Sequence, residues 1–102
     1  MRIEVHDSPN ASQYEVAVDG EPAGVLAYRL ENSRITMFHA ETDQAYGGRG
    51  VASEMARYAL EDARARELEV IPSCPFVSGY IRKHSEYADL VPADQRARYG
   101  IG

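Results

Sequence analysis

Two hydrophobic periods divide this chain, and the switch between them constrains the fold more than any other feature. Up to Glu41 apolar residues recur at alternate positions, and from Val51 they recur with helical spacing. Ile3 and Val5 alternate with Arg2, Glu4 and His6, and Tyr14, Val16 and Val18 alternate with Glu15 and Asp19. Asp19-Gly20 is a tight-turn signal between two such runs. The third run, Ala23 to Leu30, is apolar almost throughout, as expected of a strand covered on both faces. Glu31-Asn32-Ser33 supplies the next turn. Arg34 to Glu41 follows, with Ile35, Met37 and His39 on one face and Thr36, Phe38 and Ala40 on the other. The pattern predicts an antiparallel four-strand meander.

The second period begins after Tyr46-Gly47-Gly48-Arg49-Gly50. Val51, Ala52, Met55, Ala56, Ala59, Leu60 and Ala63 form an apolar helical stripe, with Glu54, Arg57, Glu61, Asp62, Arg64 and Arg66 opposite. Arg57–Glu61 and Asp62–Arg66 have the spacing of pairs along a helix. Leu68 to Ile71 reads as a short strand, so strand, helix and strand predict parallel fourth and fifth strands joined by a right-handed crossover. Pro75 suits the first turn of a second helix with Phe76, Val77, Tyr80 and Ile81 as its stripe. Ser85 to Leu90 reads as a further turn. The expected class is α+β with a mixed sheet: one domain over residues 1–91 and a polar tail, 92–102, that is poorly ordered. No internal repeat or low-complexity tract interrupts it.

Composition excludes several functions. A length of 102 residues suits one domain, and 44% hydrophobic residues argue against disorder. No apolar run approaches the ~20 residues of a membrane helix. Met1 to Asp7 lacks the apolar core of an export signal, which points to the cytoplasm. The net charge of −5, with no basic run longer than Arg82-Lys83, disfavours nucleic-acid binding. The single cysteine, Cys74, forbids an internal disulfide and any multi-cysteine metal cluster, and suits a reducing cytosol. No histidine shows metal-ligand spacing on its own element.

Three features carry chemistry. Gly47, Gly48, Arg49, Gly50, Val51 and Ala52 lie between strand and helix, where unpaired amides and partial positive charge can cradle a phosphate. The plainer alternative is a flexible loop with a glycine helix start. The segment lacks the lysine of a Walker loop and the spacing of a dinucleotide fingerprint. Cys74 precedes Pro75 and so sits at the start of the second helix, either as a reactive thiol or as an inert buried one. His39 ends the fourth strand, at the sheet edge where a parallel fifth strand also ends. His6 and His84 carry less weight, and Tyr80 is read as core or as a phenol facing the same crevice.

Taken together, these segments resemble a GNAT-type N-acetyltransferase, in particular the minimal branch of about a hundred residues. The resemblance covers residues 2–91. Tyr46-Gly47-Gly48-Arg49-Gly50-Val51-Ala52 is similar to the superfamily's Arg/Gln-x-x-Gly-x-Gly/Ala loop. Gly50 and Ala52 match the small positions, whereas Gly47 stands where Arg or Gln is expected. Val70 to Val77, followed by Tyr80-Ile81-Arg82-Lys83-His84 and Glu86-Tyr87, resembles the small branch.

The resemblance implies acetyl-coenzyme A as cosubstrate, with its pyrophosphate on residues 47–52 and its pantetheine arm between the fourth and fifth strands. It implies His39 and Cys74 as the catalytic pair. His39 would be the general base, and Cys74 a nucleophile or the acid for the leaving thiolate. The acceptor would be an amine, such as a protein lysine or N-terminus. A coenzyme A-binding module with little turnover, serving as sensor or partner protein, is the alternative. A loop for another phosphorylated ligand is a third reading. Exposed sheet edges leave both a monomer and a pair open.

Overall fold

Asp19 and Gly20 both take positive φ, 50° and 85°, and this turn matches the twist of paired strands. It joins β2 (Gln13–Val18) to β3 (Glu21–Glu31). β1 (Ile3–Ser8) precedes them, and a second tight turn through Asn32 leads to β4 (Arg34–Thr42). α1 (Val51–Ala65), β5 (Glu69–Ile71) and α2 (Pro75–Lys83) follow, then a 3-10 segment at Ser85–Leu90 and α3 (Ala93–Arg96). This is a computed structural model that describes residues 1–47 and 49–102. The sheet order is β1-β2-β3-β4-β5, antiparallel as far as β4, with β5 parallel to β4. The mixed α+β architecture expected from the two periods is the one observed.

α1 lies across all five strands. Its buried side, Val51, Met55, Ala56, Ala59, Leu60 and Ala63, is the stripe read from the sequence apart from Ala52, which is only half-buried. All of these but Ala56 join Tyr14, Val16 and Val18 of β2, Leu26 and Tyr28 of β3, and Ile35 and Met37 of β4 in one core. Burying each large side chain of this set contributes about 1.5–3 kcal/mol.

Covering on both faces, expected for β3, does not occur. Ala23, Leu26 and Tyr28 are buried, but Val25 and Ala27 are only half-buried and Arg29 is exposed. Glu15, Ala17, Val25, Ala27, His39 and Glu41 share the second face through their cross-strand register, and none is buried. The apolar run in β3 has another cause: the register shifts between Val16 and Ala17, so Ala23 is an extra residue that breaks the alternation.

A polar seam fastens the end of α1 to the first three strands. The Tyr14 hydroxyl donates to Asp62 Oδ2 at 2.7 Å, and the Tyr28 hydroxyl donates to Asp7 Oδ1 at 2.7 Å. Arg66 bridges the two carboxylates, at 3.1 Å from Asp62 and 3.4 Å from Asp7. Burial, then the bond to Asp62, raises the Tyr14 phenol, and burial with the bond to Asp7 pushes Tyr28 up to about 12. The Asp62–Arg66 pair forms as its spacing implies. The Arg57–Glu61 pair does not, because Arg57 turns back to Glu54 and Glu61 accepts the Tyr87 hydroxyl at 2.6 Å.

The C-terminal segment also departs from expectation. Residues 92–102 coil through α3 and a 3-10 turn at Ala97–Tyr99, and Ile101 is buried in the core cluster. Arg82 donates to the Tyr99 carbonyl at 2.8 Å and Arg96 to the Val91 carbonyl at 2.9 Å. The last apolar residue of a polar tail thus finds a core to enter. Among the described residues, no helix is long and apolar enough to cross a membrane.

Candidate functional site

The β4 strand turns over at its midpoint. Met37 pairs with Tyr28 and His39 with Ala27, leaving Phe38 as an extra residue. This bulge moves Ala40, opposite buried Leu26, onto the core face and puts His39 on the other one. His39 therefore does not share the face of Ile35 and Met37, as strict alternation implied. Its side chain is 56% exposed, with Nε2 at 3.5 Å from Glu41 Oε1. The Phe38 ring is 47% exposed, and the Arg29 guanidinium lies 6.0 Å from its centroid.

The bulge falls where β4 and β5 part. Their ladder runs only from Arg34↔Glu69 to Thr36↔Ile71. Two further bonds to the Met37 carbonyl, from Cys74 N–H at 2.9 Å and from the Ser73 hydroxyl at 3.3 Å, hold the chain before α2 leads it away. Beyond Met37 the outer edge of β4 has no strand partner among the described residues. Such an edge carries backbone donors and acceptors available to a ligand.

Cys74 is the N-cap of α2, as expected from Pro75. It is 4% exposed, and its side chain makes no cap bond. Its backbone stands against Met37, two residues before His39, so the topology brings the two candidates to one end of the sheet. Their side chains diverge: Cys74 belongs to the core cluster, His39 to the exposed face, and no hydrogen bond joins them among the described residues.

The glycine segment forms an organised approach to α1. Asp43 accepts from the Ala45 amide at 2.9 Å and starts a 3-10 turn at Gln44–Tyr46. Gly50 is the N-cap of α1 with φ of 78°, a conformation that favours glycine. Among the described residues the first helical bond runs from Glu54 N–H to the Gly50 carbonyl, ahead of which lie the amides of Val51, Ala52 and Ser53. A cleft of about 200 Å³ opens there, bordered by Gly47, Gly50 to Ser53, and Phe76. Arg49, next in the chain to Gly50, is exposed. Gly48 lies outside the described residues.

Two participants escaped the sequence reading. Glu41 shares the face of His39, and their i, i+2 spacing in a strand was the available signal. Phe76 was assigned to the buried stripe of α2, but Val77, Ser78 and Ile81 are its buried residues and Phe76 stays 39% exposed. Phe76 borders the cleft at the glycine segment and begins two residues after Cys74, so it ties the cleft to the parted strands. Tyr80 is half-buried, its ring stacked on His84 with centroids 4.1 Å apart.

A one-sided mixed sheet that opens between its two parallel strands, beside a glycine-capped helix, is the fold of GCN5-like proteins. The solution structure of such a protein from Staphylococcus aureus superposes with a TM-score of 0.67 at 23% identity, over 87% of each chain. The family model described as GCN5-related N-acetyl-transferase matches residues 13–90. This chain belongs to the GCN5-related N-acetyltransferase family. Among curated relatives, protein NATD1 of Gallus gallus is 29% identical over 84 residues, 80% of this chain and 76% of that protein. NATD1 of Homo sapiens is also 29% identical over 84 residues, 80% of this chain and 74% of its own length.

Proposed function

We propose that the chain moves the acetyl group of acetyl-coenzyme A to an amine, a protein lysine or N-terminus being the acceptor class. The observation that carries this reading is the parting of β4 from β5 after Met37, next to the amides of residues 51–53, which have no acceptor among the described residues. The residues present fit such a ligand. Gly47 and Gly50 keep side chains out of the cleft, the amides suit a pyrophosphate, and the open strand edge suits an extended amide-bearing arm. When bound, acetyl-coenzyme A supplies an activated acyl group and a thiolate leaving group.

The chain's own groups then have distinct tasks. Val51, Ala52 and Ser53 amides bind phosphate, with the exposed Arg49 beside Gly50 as a further cation. A backbone N–H of the β4 edge polarises the acyl carbonyl. His39, with Glu41 as its carboxylate neighbour, removes the proton from the acceptor amine. Cys74 either gives a proton to the departing thiolate or takes the acyl group on its own sulfur, its thiol proton then passing to that thiolate, and its place beside Met37 supports one of these roles.

Intact-mass spectrometry after mixing with acetyl-coenzyme A, alongside an acetyl-transfer assay on an amine panel, tests the reading. Acetylated amine, lost in His39→Ala, is the expected result, and a labelled Cys74 assigns the relay. No label and unchanged turnover in Cys74→Ala would remove Cys74 from the chemistry. A second reading draws on the divergence of the Cys74 and His39 side chains: a coenzyme A-binding module acting as sensor or partner protein. Tight binding without any acetylated acceptor would select it.

A further inference from the structure

The sheet face opposite α1 is neither flat nor uniformly polar. Ala17, Val25 and Ala27 lie half-buried along its middle. A groove of about 430 Å³ opens beside them, bordered by His6, Glu15, Ala17, Pro22, Gly24 and Val25. The register shift between Val16 and Ala17 bends β3 at this point, and Gly20 and Gly24 bring no side chain to the border.

Charge decides what such a groove takes. Glu15 and Glu41 both pair with Val25, one on each neighbouring strand, so two carboxylate positions flank the apolar strip about 10 Å apart. The Gln13 amide donates to Glu15 at 2.7 Å and the His6 ring stands 3.1 Å from it, which holds this carboxylate at the groove. Among the described residues no arginine or lysine pairs with Glu15 or Glu41. The cations of the same sheet are engaged elsewhere: Arg2 with Glu4 at 3.2 Å, Arg34 with Glu69 at 3.1 Å, and Arg29 over the Phe38 ring. The net charge of −5 adds a field that favours a cationic partner. Arginine has an apolar stem and a charged end, so Ala17, Pro22 and Val25 suit the stem and Glu15 the guanidinium.

We infer that this face docks a cationic polypeptide segment, with one arginine side chain in the groove against Glu15 and a second on Glu41. A polyproline-type segment with arginine at every third position carries these side chains on one side, about 9 Å apart, which matches the carboxylate spacing. Neither Cys74 nor any residue of the glycine cleft borders the groove, so this docking site is independent of the coenzyme reading.

The probe is the peptide acetyl-Arg-Pro-Pro-Arg-Pro-Pro-Arg-amide, which has no free amine and cannot serve as an acetyl acceptor. Titration into the isotope-labelled whole chain at low ionic strength, followed by amide chemical shifts, locates it. The shifts should centre on Glu15, Ala17, Val25, Ala27 and Glu41. The double variant Glu15→Gln/Glu41→Gln should weaken binding about tenfold, the effect of losing two charge-assisted contacts at an exposed site. Glu86→Gln/Asp94→Asn removes the same charge from exposed positions outside the sheet and should stay within about twofold. Well-dispersed amide spectra establish that both variants fold, and the shift map of the unaltered chain needs neither. No shifts, shifts centred elsewhere, or equal weakening by the two variants would overturn the docking site. Sedimentation of the chain alone as a dimer, with Val25 and Ala27 shifting on dilution, would give the face to a second copy and overturn it as well.

Discussion

Tyr14→Phe isolates one hydroxyl of the polar seam that ties α1 to the sheet. The Tyr14 ring is fully buried, 5.2 Å from the Tyr28 ring and 6.1 Å from that of Tyr58, and phenylalanine keeps these contacts. What disappears is the 2.7 Å bond to Asp62. A hydrogen bond to a charged acceptor contributes about 1.5–3 kcal/mol. Asp62 retains Arg66 at 3.1 Å, so its carboxylate is not orphaned, and the cost falls at the lower end, about 1.5 kcal/mol. For a chain of this size that lowers Tm by roughly 6–12 °C. Urea unfolding at neutral pH, followed by circular dichroism, measures it for Tyr14→Phe, Asp62→Asn and the pair. The two groups touch, so the double variant should lose less than the sum, with a coupling of about 1 kcal/mol. A loss below about 0.3 kcal/mol, or full additivity, would refute the claim that this bond fastens the helix.

Gly50→Ala places a Cβ in open space but at a φ of 78°, so strain alone should cost about 1–2 kcal/mol, and Gly50→Asn should recover much of it. Equal thermal stability of the alanine and glycine forms would contradict this. Alkaline titration should destabilise the fold. Burial, followed by bonds to Asp7 and Glu61, holds Tyr28 and Tyr87 at about 12, above the ordinary 10.0, so the folded state binds these protons more tightly. Stability is then full below about pH 10 and falls as pH rises toward 12. Tyr87→Phe should reduce that slope, and a flat profile would remove the argument. Ile101→Ala, by emptying a buried position, should cost about 2 kcal/mol, near the low end for core truncation because the chain end can relax. An unchanged urea midpoint would mean that the C-terminal segment contributes nothing to the core.

The candidate site was legible where local chemistry alone decided it. Pro75 excludes a backbone donor and places Cys74 at the helix start, and Gly50 supplies the positive φ that opens α1. Both are properties of single residues and their neighbours in the chain. His39 was harder to place. Its position at the end of β4 could be read, but its face could not, because the extra residue at Phe38 arises from pairing with β3. Phe76 carries the same lesson: an aromatic at helical spacing reads as core, yet only the packing of α1 against α2 determines which stripe is covered.

Alternation, turn residues and the change to helical spacing were enough to determine the meander, α1 and the parallel crossover, because each rests on the period with which side chains leave the backbone. Tertiary structure alone decided that one sheet face stays open, that β4 turns over at Phe38, and that Ile101 is buried. These outcomes depend on how many layers the chain can stack and on where strand registers fall out of step. Both are settled by contacts between residues far apart in the sequence.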